Sequence, residues 1–199
     1  ERVGGFIGYV QDLKQPTVTS FEDCVNNGSV TGSGNYVGGF VGYIYSNRDM
    51  SLIISNSTNN GVTNGHYVGG FVGCISYNPD MNITIFNSIN NGNYTVSGDC
   101  VGGFIGNIGM SASMNMTISN SINNGTITSW SPVGGFVGRI LHNTDMNATI
   151  SNSTNSGNIT GSGMSGVGGF VGLVHPLTYS CSVTLNILNS ANKGSVSAG

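Results

Sequence analysis

Along residues 81–86 apolar and polar side chains alternate, with Met81, Ile83 and Ile85 on one face and Asn82, Thr84 and Phe86 on the other. A period of two predicts a half-buried strand. The same pattern returns along the chain and defines two expected inward columns. One is Met50, Met81, Met114, Met146 and Val183; the other is Ile54, Ile85, Ile118, Ile150 and Ile187. A shorter alternating segment follows each time. There Val30, Val62, Tyr94, Ile127, Ile159 and Val196 are expected inward, and Thr31, Thr63, Thr95, Thr128, Thr160 and Ser197 outward. The segment around Val37 is less regular. Val37, Phe40, Val41 and Ile44 have helical spacing, but interior glycines cost a helix roughly 1 kcal/mol each, so a strand is predicted. That strand would be buried on both faces, Phe40 and Ile44 on one and Val37 and Val41 on the other. Its glycines would let the backbone bend or approach a neighbour closely.

These segments belong to a repeat. V-G-G-F-[IV]-G starts at Val3, Val37, Val68, Val101, Val133 and Val167, at intervals of 34, 31, 33, 32 and 34 residues. A unit that buries only a narrow apolar strip must stack on its neighbours. The predicted fold is therefore all-β: one array over residues 1–199, forming a parallel β-solenoid of six coils of about 33 residues. A six-bladed propeller is the alternative, although a blade usually takes roughly 40 residues or more. Stacking predicts a phenylalanine ladder of Phe6, Phe40, Phe71, Phe104, Phe136 and Phe170.

Each unit also carries an Asn-rich turn, such as Asn56-Ser57-Thr58-Asn59-Asn60-Gly61. Asp23, Asn56, Asn87, Asn120, Asn152 and Asn189 form one polar column; Asn26, Asn59, Asn90, Asn123, Asn155 and Asn192 form another. Stacked amides can hydrogen-bond from coil to coil, and Asn tolerates a left-handed turn. The closing glycines, Gly61, Gly92 and Gly125 among them, are expected to supply positive φ.

Composition narrows the function. Lys and Arg total five, only 7% of residues are charged and the net charge is -3. No basic footprint exists for a phosphate backbone or an anionic membrane, so neither nucleic-acid binding nor membrane insertion of this segment is expected. No apolar run approaches 18 residues, and no signal-peptide pattern is present.

G-G-F-V-G in a unit of this length, followed by an Asn-rich turn closing on Gly, resembles the GLUG-type repeats of large cell-surface and secreted proteins of bacteria and some protists. The resemblance covers essentially the whole chain and implies an extracellular β-solenoid scaffold beside adhesin or peptidase domains. Phenylalanine stands here where that family commonly has leucine, which favours an aromatic ladder.

The expectation is a noncatalytic structural or adhesion scaffold, part of a surface adhesin, appendage or filament, with no cofactor. A polysaccharide-active enzyme would need clustered carboxylates. Only Asp49, Asp80 and Asp145 share a column, interrupted at Ser113, and Arg48 and Arg139 sit on different elements; Asp12 stands apart. His66, His142 and His175 occupy different repeat positions and share no metal site. An ice-binding face would need a regular outward threonine column, and only Thr126-Ile127-Thr128 gives a T-x-T unit. Cys24, Cys74, Cys100 and Cys181 show no CxxC spacing. Their coil positions allow no intrachain disulfide, so they are expected to be buried or to pair between chains.

Sequons suit an extracellular location. Asn93 and Asn158 are the stronger glycosylation candidates, because Asn82, Asn115 and Asn147 fall on three consecutive coils and would crowd one another. Asn56 and Asn152 are expected to be shielded in the ladder. The chain is expected to be a segment of a longer array or to stack end to end. The Val41, Val72, Ile105, Val137 and Val171 column is expected at a lateral contact with a second rod. Surface carbohydrate or a host protein is the expected outside partner.

Overall fold

The computed structural model describes residues 1–11, 17–45, 49–76, 80–109, 113–142, 145–163, 165–176 and 182–199. Asp12, Arg48 and Cys181 therefore lie outside the described residues. The first coil consists of β1 (Arg2–Gly4), β2 (Ile7–Gln11), β3 (Thr17–Glu22), β4 (Val25–Asn26) and β5 (Val30–Thr31). Each later coil repeats this order, and every strand pairs in parallel with its counterpart one coil away. The first four positions form six-stranded sheets, while the fifth divides into a two-stranded and a four-stranded sheet. The protein is a parallel β-solenoid. No described residue is helical, and no helix is long and apolar enough to cross a membrane.

The third sheet follows the simple alternation. Met50, Met81, Met114, Met146 and Val183 pair in register, as do Ile54, Ile85, Ile118, Ile150 and Ile187. In these two columns like stacks on like over most coils, while the inward column between them varies, from Leu52 and Ile83 to Met116 and Ala148. The phenylalanine rings line up beside these columns. Successive centroids from Phe6 to Phe170 lie 4.8, 4.7, 5.0, 4.7 and 5.1 Å apart.

The V-G-G-F-V-G segment departs from the two-faced strand expected of it. It is two strands separated by a bend, as in β6 (Tyr36–Gly38), the bend at Gly39 and Phe40, and β7 (Val41–Tyr45). The chain doubles back there, bringing the Tyr36 and Tyr43 rings to 4.3 Å. A β-carbon on Gly38 would meet the Val41 carbonyl oxygen at 2.0 Å, so the reversal requires glycine. Within β7 the ladder pairs Val41 and Tyr43 with Val72 and Cys74 but passes over Gly42. Val41 and Ile44 both enter the core that holds Phe40, while Tyr43 lies on the outer side.

Two expectations fall with this geometry. Val41, Val72, Ile105 and Val137 are fully buried and Val171 half-buried, so this column offers no lateral contact. The preceding valines, Val68, Val101 and Val133, enter a separate small core with Tyr94, Ile127 and Ile159. A third correction concerns the second coil, where Thr63 pairs with Val30 and is buried while Val62 is exposed. Counting from the preceding glycine, Thr63 holds the same place as Val30 and Tyr94, and that shared register overrides the polarity of one residue.

Phe71 is fully buried between Phe40 and Phe104, whereas Phe6 is 46% exposed at the first coil. Phe71→Ala is expected to cost about 3–5 kcal/mol and Phe6→Ala distinctly less. Urea denaturation of both variants checks the difference.

Candidate functional site

Three groups of side chains concentrate the polar chemistry: the Asn turn, the outer strand faces and a tyrosine-lined notch. At the turn, Asp23, Asn56, Asn87, Asn120, Asn152 and Asn189 all have φ between 48° and 53°. Asparagine, with one aspartate, carries the left-handed conformation, and no described glycine has positive φ. This corrects the role expected of the closing glycines. A β-carbon on Gly92 would stand 2.3 Å from the Gly61 carbonyl oxygen, so glycine is needed there for close approach between coils.

Beside that corner runs a buried amide ladder. Asn26 donates from Nδ2 to Asn59 Oδ1 at 2.8 Å, and the chain continues through Asn90, Asn123, Asn155 and Asn192 at 2.9, 2.7, 2.7 and 2.7 Å. Asn59, Asn90, Asn123 and Asn155 are fully buried. The Tyr94 hydroxyl donates to Asn90 Oδ1 and accepts from Asn59 Nδ2. Burial pushes the Tyr94 phenol well above its ordinary range, against the pull of its hydrogen bonds. A serine ladder runs alongside. The Ser57 amide donates to Ser88 Oγ and the Ser88 amide to Ser121 Oγ. An outer amide ladder links Asn60 to Asn27, Asn91 to Asn60 and Asn124 to Asn91. Almost every polar atom at this corner is occupied by the next coil.

The glycosylation candidates lie on the surface. Asn82, Asn93, Asn115, Asn147 and Asn158 are all exposed. Asn93 Oδ1 accepts from the Thr126 amide and Asn158 Oδ1 from the Ser195 amide, so both also join neighbouring coils. Asn115 donates to Asn82 at 3.2 Å, which places this pair as close as the repeat implies. Asn56 and Asn152 are exposed rather than shielded.

Asp49, Asp80 and Asp145 are exposed. A depression of about 130 Å³ beside Asp49 is lined by Thr17, Val18, Met50, Ser51 and Asn82, without Asp80. Among the described residues no three of His, Cys, Asp and Glu gather as metal ligands. His66 Nδ1 lies 3.7 Å from the Asp99 carboxylate. Cys24, Cys74 and Cys100 are free thiols, Cys74 and Cys100 buried and Cys24 half-buried.

The notch is the feature that alternation and repeat counting miss. Its volume is about 170 Å³, and its walls include Tyr36, Tyr43, Tyr67, Cys74, Ser76, Asn107 and Arg139. The glycine reversal makes it by laying Tyr36 and Tyr67 beside the outer face of the second sheet. Tyr43 hydrogen-bonds Ser76 through their hydroxyls at 2.7 Å. Arg139 Nε donates to Asn107 Oδ1 at 2.8 Å, and Asn107 Nδ2 to Cys74 Sγ at 3.3 Å. Burial pushes the Tyr43 phenol to about 12 and the Cys74 thiol to about 11. The signal in the sequence is the tyrosine on either side of V-G-G-F-V-G at Tyr36 and Tyr43, changing to Cys74, Asn107 and Arg139 in later coils.

Residues 133–160 match the family model described as the GLUG motif. The chain thus carries a GLUG motif within an array of coils that pair with it in continuous register. No curated protein and no solved structure matches the chain.

Asn90→Ala strips partners from Asn59, Asn123 and Tyr94 together and is expected to destabilise by at least about 3 kcal/mol, since each orphaned buried group costs about 1–3 kcal/mol. Asn91→Ala, in the exposed ladder, is expected to cost well under half as much; denaturant midpoints compare them. Stability is also expected to fall with rising alkalinity. Burial holds the folded Cys74 and Cys100 protons to about 11 and about 12, against an ordinary value of 9.0. Between those limits the unfolded chain binds fewer protons, so stability drops as pH climbs through that window. Urea midpoints at about pH 8 and about pH 10 measure the drop, and replacing both thiols by alanine is expected to reduce it.

Proposed function

We propose that this chain is a noncatalytic extracellular scaffold, a rod segment of a surface adhesin, appendage or filament. The observation that carries the reading is the buried ladder from Asn26 to Asn192, in which side-chain polarity is spent joining coil to coil. A catalytic β-helix needs convergent acid and base groups on one face. Asp49 instead lines a depression without Asp80, and its column is interrupted at Ser113. An ice-binding face is less favoured because Asn64 replaces threonine in the outward column, where it pairs with Thr31.

The GLUG motif and the exposed sequons support an extracellular setting. Phe6, Ile187 and Val196 are exposed apolar groups that a second copy stacked on either end coil would cover. Axial continuation thus remains the form of self-association the geometry favours, with surface carbohydrate or a host protein as the outside partner.

The test is to display the rod on inert beads, measure retention on glycan-coated and host-cell surfaces, and assay the same preparation for release of reducing sugar from polysaccharides. Retention without release is expected, unchanged in an Asp49→Asn, Asp80→Asn double variant. Polysaccharide cleavage abolished by that variant would replace the scaffold reading with an enzymatic one.

A further inference from the structure

The outer column of the second sheet changes character along the rod. Tyr9 pairs with Tyr43, Tyr43 with Cys74, Cys74 with Asn107 and Asn107 with Arg139. The adjoining column runs from Tyr45 to Ser76, Gly109 and Leu141. Two coils with small side chains therefore lie between a tyrosine-bearing coil and an arginine-bearing one, while Tyr36 and Tyr67 form the side wall. At the opposite end of the seam the Arg2 guanidinium lies over the tyrosine rings, 3.8 Å from the Tyr9 ring centre and 5.3 Å from that of Tyr43, and a wider, shallow hollow opens between Glu1, Arg2, Tyr9, Asn35 and Tyr36. Around Cys74 the corresponding space is open.

Size and chemistry restrict what can occupy it. The volume is about 170 Å³. A cavity of about 150 Å³ holds a benzene-sized molecule, so one six-membered ring fits and a longer chain must project into solvent. The walls combine tyrosine rings, stacked on one another through Tyr36 at 4.3 Å to Tyr43 and 5.3 Å to Tyr67, whose remaining surface suits the C–H face of a pyranose, with the Asn107 amide, whose second N–H suits a hydroxyl group. Arg139 sets the charge. It is half-buried, its guanidinium carbon is 5.9 Å from the Tyr67 ring centre, and among the described residues no carboxylate lies within 4.0 Å of it. Asp99 acts on Tyr67 and Cys100 beside it but forms no direct pair with the guanidinium, so Arg139, partly desolvated on its aromatic wall, keeps donors for an incoming carboxylate.

We propose that this notch binds one carboxylated pyranose, an acidic sugar residue, with its ring against Tyr36 and Tyr67 and its carboxylate on Arg139. The site names a ligand class for the adhesive surface and rests on the scaffold reading only for where that sugar is met. Binding to the purified chain can fail while the scaffold reading stands, and a bead-retention failure leaves the notch untouched.

The experiment is an NMR titration of the full chain with methyl glucuronide, using methyl glucoside and acetate as separate probes. Saturable shifts in Tyr36 and Tyr67 are expected with the glucuronide, at a Kd of millimolar order. The glucoside and acetate are each expected to bind at least about tenfold more weakly. Arg139→Gln is expected to remove the preference for glucuronide over glucoside. Cys74→Tyr, which fills the notch by continuing the ring column from Tyr43, is expected to abolish binding. Equal binding of glucoside overturns the acidic-sugar assignment, equal binding of acetate reduces the site to an anion contact, and absence of saturable shifts with glucuronide overturns the proposal. The three-probe comparison uses the unmodified protein, so a variant that fails to fold leaves the decision intact.

Discussion

Everything in this rod depends on each coil placing the same atoms directly over those of the coil before, one strand spacing of about 4.8 Å away. Backbone pairing alone does not impose that register, because parallel strands can slip. The amide ladder does. Asn59 meets both Asn26 and Asn90, and a shift of one residue would set each buried carboxamide against a neighbour whose side chain points out of the corner, such as Asn60 or Asn91. An unsatisfied buried amide costs about 1–3 kcal/mol, and six coils share the column. The ladder thus acts mainly by penalising every other register, and the phenylalanine stack adds dispersion and ring contacts on top of the register so chosen.

The same constraint accounts for Thr63. Its hydroxyl is buried in the small core beside the Tyr94 hydroxyl, and Val62 is exposed in its place. Moving the chain by one residue would correct both, but it would also displace Asn59 or Gly61 from their columns. Gly61 has no room to move, since a β-carbon there would stand 2.0 Å from the Gly28 carbonyl oxygen. A single local mismatch is cheaper than breaking the corner, so the stack retains it.

The solenoid, its inward columns and the Asn and Phe positions were legible because they are periodic, and periodicity survives in a bare sequence. What resisted reading was the path within one coil. Alternation assigns Val37 and Val41, four residues apart, to one face of a strand, yet Gly39 and Phe40 turn the chain between them and the ladder passes over Gly42. Alternation assumes an uninterrupted strand. Three glycines in six residues signal that the assumption fails, but they do not specify whether the chain bends, bulges or reverses. Likewise, both Asn and Gly can adopt a left-handed turn, so residue type alone did not decide which does. The closeness of neighbouring coils at Gly92 and the φ of Asn87 do decide it.

In a repeat protein the positions that recur in every coil are largely consumed by the stack, and specificity must reside where the recurrence stops. The asparagines and phenylalanines illustrate the first half of that argument, since their polar atoms and ring faces meet their own counterparts. The outer column from Tyr9 to Arg139 illustrates the second. Its residues occupy equivalent backbone positions, so the rigid ladders beneath hold them equally firmly, yet they differ in size and charge from coil to coil. A scaffold that fixes backbone position independently of the outward side chain can vary that side chain at little structural cost. The open space between Tyr43 and Arg139 follows from that freedom: the regular part of the sequence builds the wall, and its irregular part shapes what the wall can hold.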